Sequence, residues 1–421
     1  MKIASTLAAA SIAFAALLSA SAQTTPAAPV TFTEALAKGT VSLNARVRYE
    51  SVNQDALKDA DSLTARLRLG YTTRLYQGFQ AMIEGEATSR LAGRSYDGTG
   101  TNTAPATATI ADPEHYGVNQ AWLAYTYEDT KGTVGRQRIV LDNARFVGDV
   151  DWRQNQQTFD AVRLQNKSLD KTTLTYAYLD RINRVFDNSA PQYDWSADAH
   201  LFNVAYAGCK YGTLTAYGYL LDFDKLAQAA FNNSCQTYGL SFAGATPVTG
   251  TVKATYRLEY ATQSDYGSST LNYTSDYYVA ELGAATKTYA LTAGYEVLGS
   301  DHGAAGTGFK TPLATLHAFN GWADKFLGTP DAGLTDLYLK ASATLPAGFT
   351  AAAQYHLFGT ANGATDIGSE IDLQLTYKYD ARLSFTAKVA SYAAAEKLPV
   401  AGSTAAHQDT DKFWLQADYT F

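Results

Sequence analysis

Residues 63–75 read LTARLRLGYTTRL, and the parity of that stretch decides the fold. Leu63, Ala65, Leu67, Leu69, Tyr71 and Leu75 share one face of an extended chain, while Thr64, Arg66, Arg68, Thr72 and Arg74 share the other. A period of two with one apolar face predicts a strand between an apolar and a polar medium. The same alternation recurs at Val41 to Tyr49, Phe79 to Ala87, Val252 to Tyr260, Tyr289 to Val297, Ile371 to Tyr379 and Leu383 to Val389. It runs past the roughly five or six residues of a soluble strand and suits a tilted membrane strand of about 9–11 residues.

The connections between these segments alternate in length. Long ones fall at 53–61, 90–117, 141–156, 181–198, 223–235, 263–275, 300–333, 359–368 and 395–409. Short ones lie between them, at Tyr76 to Gly78, Glu128 to Lys131, Gly208 to Tyr211, Gly244 to Thr249 and Asp380 to Arg382 among others. Short turns on one side of a membrane and long loops on the other are the habit of outer-membrane barrels, with both termini on the short-turn side. The count predicts an all-β transmembrane antiparallel barrel of 18 strands over residues 41–421. A further apolar run, Leu313 to Phe319, would make an odd number and is placed inside the longest loop.

The ends and the composition agree with that reading. Lys2, the apolar run Ile3 to Leu18 and Ala20-Ser21-Ala22 before Gln23 predict a secretory signal peptide at residues 1–22. Residues 23–40 are then a short periplasmic segment. At the other end Phe413, Leu415, Ala417, Tyr419 and Phe421 alternate with Lys412, Trp414, Gln416, Asp418 and Thr420. A last strand closing on an aromatic residue resembles the recognition signal of bacterial outer-membrane barrels, and that resemblance implies the barrel-assembly machinery as a partner. No later window is long and apolar enough for a spanning helix, so a chain entering a bilayer must close into a barrel. The 29 Tyr, the 32 Gly and a mean hydropathy of −0.20 fit strands that show lipid only every second residue. Cys209 falls in a short turn and Cys235 beside a long loop, so both are predicted to remain thiols although an oxidising compartment favours pairing.

Charge can then be placed by cost. An Arg or Lys on the lipid face near the midplane costs about 2–4 kcal/mol, which assigns charged strand positions to the lumen. The basic pore-lining set is Arg46, Arg48, Arg66, Arg68, Arg74, Arg136, Arg138, Arg163 and Arg257, with Lys253, Lys340, Lys378, Lys388 and Lys412. The acidic set is Glu84, Glu86, Glu259, Glu281, Glu296, Glu370 and Asp372, with Glu50, Asp336 and Asp418. Cations outnumber anions there although the chain carries −7 overall, so acidic excess belongs to the loops and a basic stripe to the wall. Cross-strand pairing, as of Arg68 with Glu86 across the turn at Tyr76 to Gly78, would neutralise part of the stripe. Two loops are candidates to fold inward as a constriction. One holds Asp142, Asn143, Arg145, Trp152, Arg153 and Asn155, and the other His317, Asn320, Trp322, Asp324 and Lys325.

Catalytic and cofactor chemistry finds no support. The six histidines have neither paired metal spacing nor an H-E-x-x-H motif, and no G-x-S-x-G elbow or Walker loop is present. Gly98-Thr99-Gly100 reads as a loop tip. No cofactor or metal is expected, and an acidic chain with lumenal cations gives no nucleic-acid surface.

Two longer stretches carry a family resemblance. Gly135 to Leu164 reads GRQRIVLDNARFVGDVDWRQNQQTFDAVRL, and Phe309 to Leu337 reads FKTPLATLHAFNGWADKFLGTPDAGLTDL. Both resemble characteristic segments of the alginate-export-like family of bacterial outer-membrane proteins, with weaker likeness at Arg181 to Phe186 and Gln236 to Gly239. The resemblance implies an 18-stranded barrel whose lumen passes hydrophilic solutes. The leading expectation is a porin-like channel for small hydrophilic or anionic solutes, surrounded by outer-membrane lipid and lipopolysaccharide. Alternatives are a conduit for an acidic exopolysaccharide and, in another class, an adhesin or receptor that uses the barrel as an anchor.

Overall fold

The computed structural model describes residues 30–93, 107–186, 190, 193–223, 232–395 and 408–421. The expected leader at residues 1–22, Gly98 to Gly100 and His407 lie outside the described residues. A short helix α1 (Phe32–Ala37), closed by a Thr31–Glu34 capping box, precedes the strands. The first six strands are β1 (Thr40–Gln54), β2 (Ala60–Thr72), β3 (Phe79–Gly93), β4 (His115–Tyr127), β5 (Thr130–Gln137) and β6 (Thr158–Asn166). The next six are β7 (Thr172–Asn183), β8 (Asp194–Cys209), β9 (Gly212–Phe223), β10 (Cys235–Pro247), β11 (Lys253–Asp265) and β12 (Thr274–Ala285). The last six are β13 (Tyr289–Leu298), β14 (Leu334–Thr344), β15 (Phe349–Gly359), β16 (Asp366–Lys378), β17 (Leu383–Ala394) and β18 (Thr410–Thr420).

Each strand pairs antiparallel with the next, and β1 pairs with β18 from Asn44↔Thr420 to Gln54↔Thr410, closing an 18-stranded barrel. Closure satisfies every strand edge, which is what hydrocarbon demands of a backbone. Leu313 to Phe319 lies in the connection between β13 and β14, where a 3-10 turn forms at Leu316–Ala318 and no strand is added. Cys209 ends β8 at the short-turn rim, Cys235 begins β10 at the opposite rim, and both are free thiols.

The two faces separate as the alternation predicts. Leu67, Leu69, Ile83, Leu258, Leu282, Leu373 and Leu415 point outward and are exposed, Leu282 by 68%. Exposed tyrosines ring the short-turn end (Tyr125, Tyr127, Tyr289, Tyr379) and the loop end (Tyr116, Tyr238, Tyr260, Tyr278), as amphipathic rings do at headgroup level. Arg48, Glu50, Arg66, Asp336, Glu370 and Asp372 point inward and are almost wholly buried. A barrel interior this full of buried charge must be packed with polar partners. Two loops supply them.

Candidate functional site

The loop between β5 and β6, residues 138–157, turns into the lumen and lies against β1 and β2. A loop inside a barrel must find donors for its carbonyls. Arg46 Nη1 donates to the carbonyls of Asp151 at 3.0 Å and Trp152 at 3.1 Å, and Arg68 Nη2 to that of Gln154 at 3.1 Å. Arg66 reaches the carbonyls of Arg153 and Gln154 at 3.4 Å, while the Arg48 guanidinium lies 4.1 Å from the Trp152 ring centroid. The fork of an arginine suits this work, since its donors serve a carbonyl and a carboxylate at once. Val150 holds φ 52 within the loop, a costly conformation for a β-branched residue, and its N–H donates to Thr315 Oγ1 at 3.2 Å.

Those same arginines have carboxylate partners. Arg46 meets Asp418 at 2.7 Å, Arg48 meets Asp112 at 3.3 Å, Arg66 lies 3.7 Å from Asp151, and Arg68 pairs with both Glu86 and Asp151. Arg68 and Glu86 are direct cross-strand partners in the register of β2 and β3. The expected stripe of free charge on β1 and β2 is therefore corrected. It is an ion-paired belt that seats the loop, because inward folding brought Asp112 and Asp151, absent from the strand alternation, onto the arginines. Burial would raise the Asp151 carboxyl, but Arg68, Arg66, Arg46 and Arg138 hold it well below the usual carboxylate range.

The loop between β13 and β14, residues 299–333, enters from the other side. Gly321 holds φ 84, and any Cβ there would run into the Glu370 carboxylate. The N–H of Ala323 donates to Glu370 at 2.6 Å and that of Trp322 to Asp372 at 3.3 Å, so two wall carboxylates hold the loop by its backbone. Asn320 donates to Glu296 at 2.7 Å and to Asp336 at 3.1 Å. Lys325 donates to Thr410 Oγ1 at 2.6 Å, and burial with Lys412 nearby brings its amine down to about 8.

The loops meet in mid-lumen. Trp152 and His317 stack with centroids 4.4 Å apart and planes 4° from parallel. Arg153 joins Glu50 at 3.1 Å to Asp324 at 2.7 Å, and Lys412 reaches Asp324 at 3.1 Å. Lys388 Nζ lies 2.7 Å from His317 Nε2, and 3.5 Å and 4.1 Å from the ring centroids of Trp322 and Trp152. The Asp324 carboxylate can only accept, so the His317 proton sits on Nδ1, 2.7 Å away, and Nε2 accepts from Lys388. Arg145, buried 2.9 Å from Glu296, ties the first loop to β13 as well.

The remaining sequence-predicted residues fall as follows. Arg257 pairs with Glu259, which also accepts from the Tyr217 phenol at 2.6 Å. Glu281 accepts from Tyr338 at 2.7 Å, Glu296 from Tyr277 at 2.8 Å, and Glu84 from Asn119 and Gln120. Asp142 accepts from Asn203 at 2.8 Å, and burial, then Glu259, pushes its carboxyl up to about 6. Asn143 caps the Arg145 N–H, and Asn155 donates to the carbonyls of Pro113 and Val185. Arg138 continues inward from β5 and pairs with Asp149, and Arg163 faces the lumen from β6.

Two placements are corrected. Arg136 shares the outward parity of Val134 and Val162 and chelates Asp160 at 2.7 and 3.0 Å near the loop rim, beside the Arg181–Asp194 pair. The rule that sends charge to the lumen fails at headgroup depth, where a neutralised pair costs little. Arg74 lies beyond the end of β2, exposed at the short-turn rim, where strand parity no longer governs it.

Free charge lies elsewhere. Lys131, Arg163, Lys253, Lys340 and Lys378 face the short-turn half of the lumen, and none forms an ion pair among the described residues. Lys131 was missed by the sequence reading, which assigned it to a turn. Asp112 was missed because its long loop shows no alternation at all.

A closed barrel with an apolar, tyrosine-ringed exterior and a polar lumen narrowed by two inward loops is an outer-membrane β-barrel of the channel type. Residues 38–297 match the family described as alginate export, and the chain belongs to that family. No curated protein matches it significantly. Its fold is similar to that of OccAB2 of Acinetobacter baumannii, with 15% identity, a TM-score of 0.71, and coverage of 92% of this chain and 99% of that one. OccK9 (OpdG) of Pseudomonas aeruginosa gives 16%, 0.69, 92% and 99%, and OpdK of the same organism, solved with vanillate, gives 13%, 0.69, 90% and 98%. These likenesses are of fold. Localisation follows from family and barrel: the chain resides in the bacterial outer membrane.

Proposed function

We propose that the chain is a passive channel for small hydrophilic solutes with a mild preference for anions, and that it catalyses no reaction. The observation that carries this is the order of charge along the lumen. A constriction whose ion pairs cancel one another opens toward a half-lumen where Lys131, Arg163, Lys253, Lys340 and Lys378 keep unpaired charge. A low-dielectric wall focuses such charge on a passing ion. Vanillate, found with OpdK, is a small carboxylate and fits the same preference.

The family description favours a second reading, an export conduit for an acidic polysaccharide. The double latch of Trp152 on His317 and Arg153 on Asp324 suits small solutes better than a polymer, which would need both loops withdrawn. Residues 1–22 act as the leader on this reading, the barrel is one domain, and its surroundings are lipid, lipopolysaccharide and the assembly machinery. Reversal potentials in a salt gradient across planar bilayers test it. Anion selectivity is expected, and a cation-selective or non-conducting barrel would overturn it.

A further inference from the structure

Beneath the first inward loop, β4, β5 and β6 wall a cavity of about 330 Å³ whose lining includes Gln120, Trp122, Lys131, Thr133, Arg138 and Arg163. Its charge is one-sided. Arg138 is matched by Asp149, but Lys131 and Arg163 have no carboxylate partner among the described residues. Arg163 Nε is buried with no hydrogen-bond partner among them, a rare condition for a guanidinium away from solvent. The nearby acid, Glu84, is already occupied by the side-chain amides of Asn119 at 2.7 Å and Gln120 at 3.0 Å. Lys131 Nζ lies 5.5 Å from the centroid of the Trp122 ring, which gives the cavity a flat apolar wall beside its cations. Lys131, Arg163 and Trp122 make none of the hydrogen bonds or ion pairs described above that seat the constriction.

We propose that this cavity is a binding site for a small aromatic carboxylate, with the carboxylate between Arg163 and Lys131 and the ring against Trp122. A carboxylate supplies the acceptors that the guanidinium and ammonium lack, and an indole face favours a flat ring over an alkyl group. A volume near 300 Å³ is the low end of ligand pockets and suits a single substituted ring. The site deepens the channel reading and rests on it for access, since a solute that clears the constriction meets it next.

The test uses the folded full-length barrel with benzoate and acetate as probes. Calorimetric titration in detergent reads binding at equilibrium, and interruption times of single channels read residence. Benzoate is expected to bind more tightly than acetate, and Arg163→Gln or Lys131→Gln to shorten benzoate residence about tenfold, the weight of one charge-assisted hydrogen bond. Trp122→Leu should weaken benzoate and leave acetate unchanged, and Arg163→Lys should fall between the native chain and Arg163→Gln. Heat-modifiable migration on gels and a native circular-dichroism spectrum verify that each variant is folded. Equal affinity for the two probes, or benzoate binding indifferent to Arg163 and Lys131, overturns the site while native anion selectivity stands. Cation selectivity in the native channel together with Arg163-dependent binding of benzoate would instead overturn the channel reading and keep the site.

Discussion

The arginines of β1 and β2 and the cations below them look alike in sequence and stand in opposite electrostatic states. Arg46, Arg48, Arg66 and Arg68 are buried, carboxylate-paired and bonded to the backbone of the loop at 138–157. Lys131, Arg163, Lys253, Lys340 and Lys378 keep their charge for the lumen. The difference teaches that a lumenal cation selects ions only if no loop has claimed it. The upper belt spends its charge on holding a constriction in place, and on the proposed channel reading selectivity falls to the lower set. Carboxylates differ in the same way across the barrel: Glu281 and Glu84 are held by neutral donors, so they temper the lower cations without cancelling them.

The largest effect should come from breaking the belt at its junction. Arg153 bridges Glu50 and Asp324 in a buried setting, and removing one partner of such a pair strands the others at a cost of about 3–5 kcal/mol. Arg153→Ala is expected to free the first loop from the second, raising single-channel conductance and open-channel noise. Quiet, native-like currents from this variant would show that the latch does not hold the constriction.

Next comes a paired comparison of triple variants. Lys253, Lys340 and Lys378 changed together to Gln should lower the anion-to-cation permeability ratio by about twofold, with conductance noise unaltered. Arg46, Arg66 and Arg68 changed together to Gln should disturb noise and substates as strongly as selectivity, because loop carbonyls lose their donors. If the upper triple shifts selectivity with perfectly quiet currents, the belt is a free stripe after all.

How much of this was legible follows from where the signal lives. Alternation at Leu63 to Leu75 and the long and short connections fixed strand number, register at Arg68↔Glu86 and the free thiols, because a period of two states which side each residue faces. The pairing state was not legible. It depends on Asp112, Asp151 and Asp324, loop residues with no periodicity, and on loop paths that no strand pattern encodes. Arg136 was misplaced for a related reason: it shares the outward parity of Val134, but the cost of lipid-facing charge was applied to it without regard to depth.

A smaller effect separates the two regions by pH. Asp142 sits in the first loop among Asn203, Tyr219, Glu259 and Arg257, with its carboxyl raised to about 6. Because the native pKa lies above the ordinary 3.8, the folded chain holds this proton more tightly, and that stabilisation is lost as pH rises through about 6. Lowering the pH from 7 toward 5 should therefore neutralise one lumenal anion and raise anion preference, and Asp142→Asn should remove that part of the response. A titration between pH 7 and 5 that is identical in both proteins would assign the response to another group.

The smallest effect should be at Arg136, which sharpens the comparison by standing outside it. It points away from the lumen near the loop rim and chelates Asp160, so the barrel wall and headgroup water both lie between its charge and a permeating ion. The pair is half-buried, and the two charges largely cancel each other, so little net field is left to act across the wall. Arg136→Gln is thus expected to leave reversal potentials at the native value and to lower thermal stability only slightly. Measured beside Lys340→Gln, a single change of the same charge on the inward face, it isolates orientation from charge. Equal shifts in reversal potential from the two variants would mean that the outward parity assigned to Arg136 is wrong and that its guanidinium reaches the lumen.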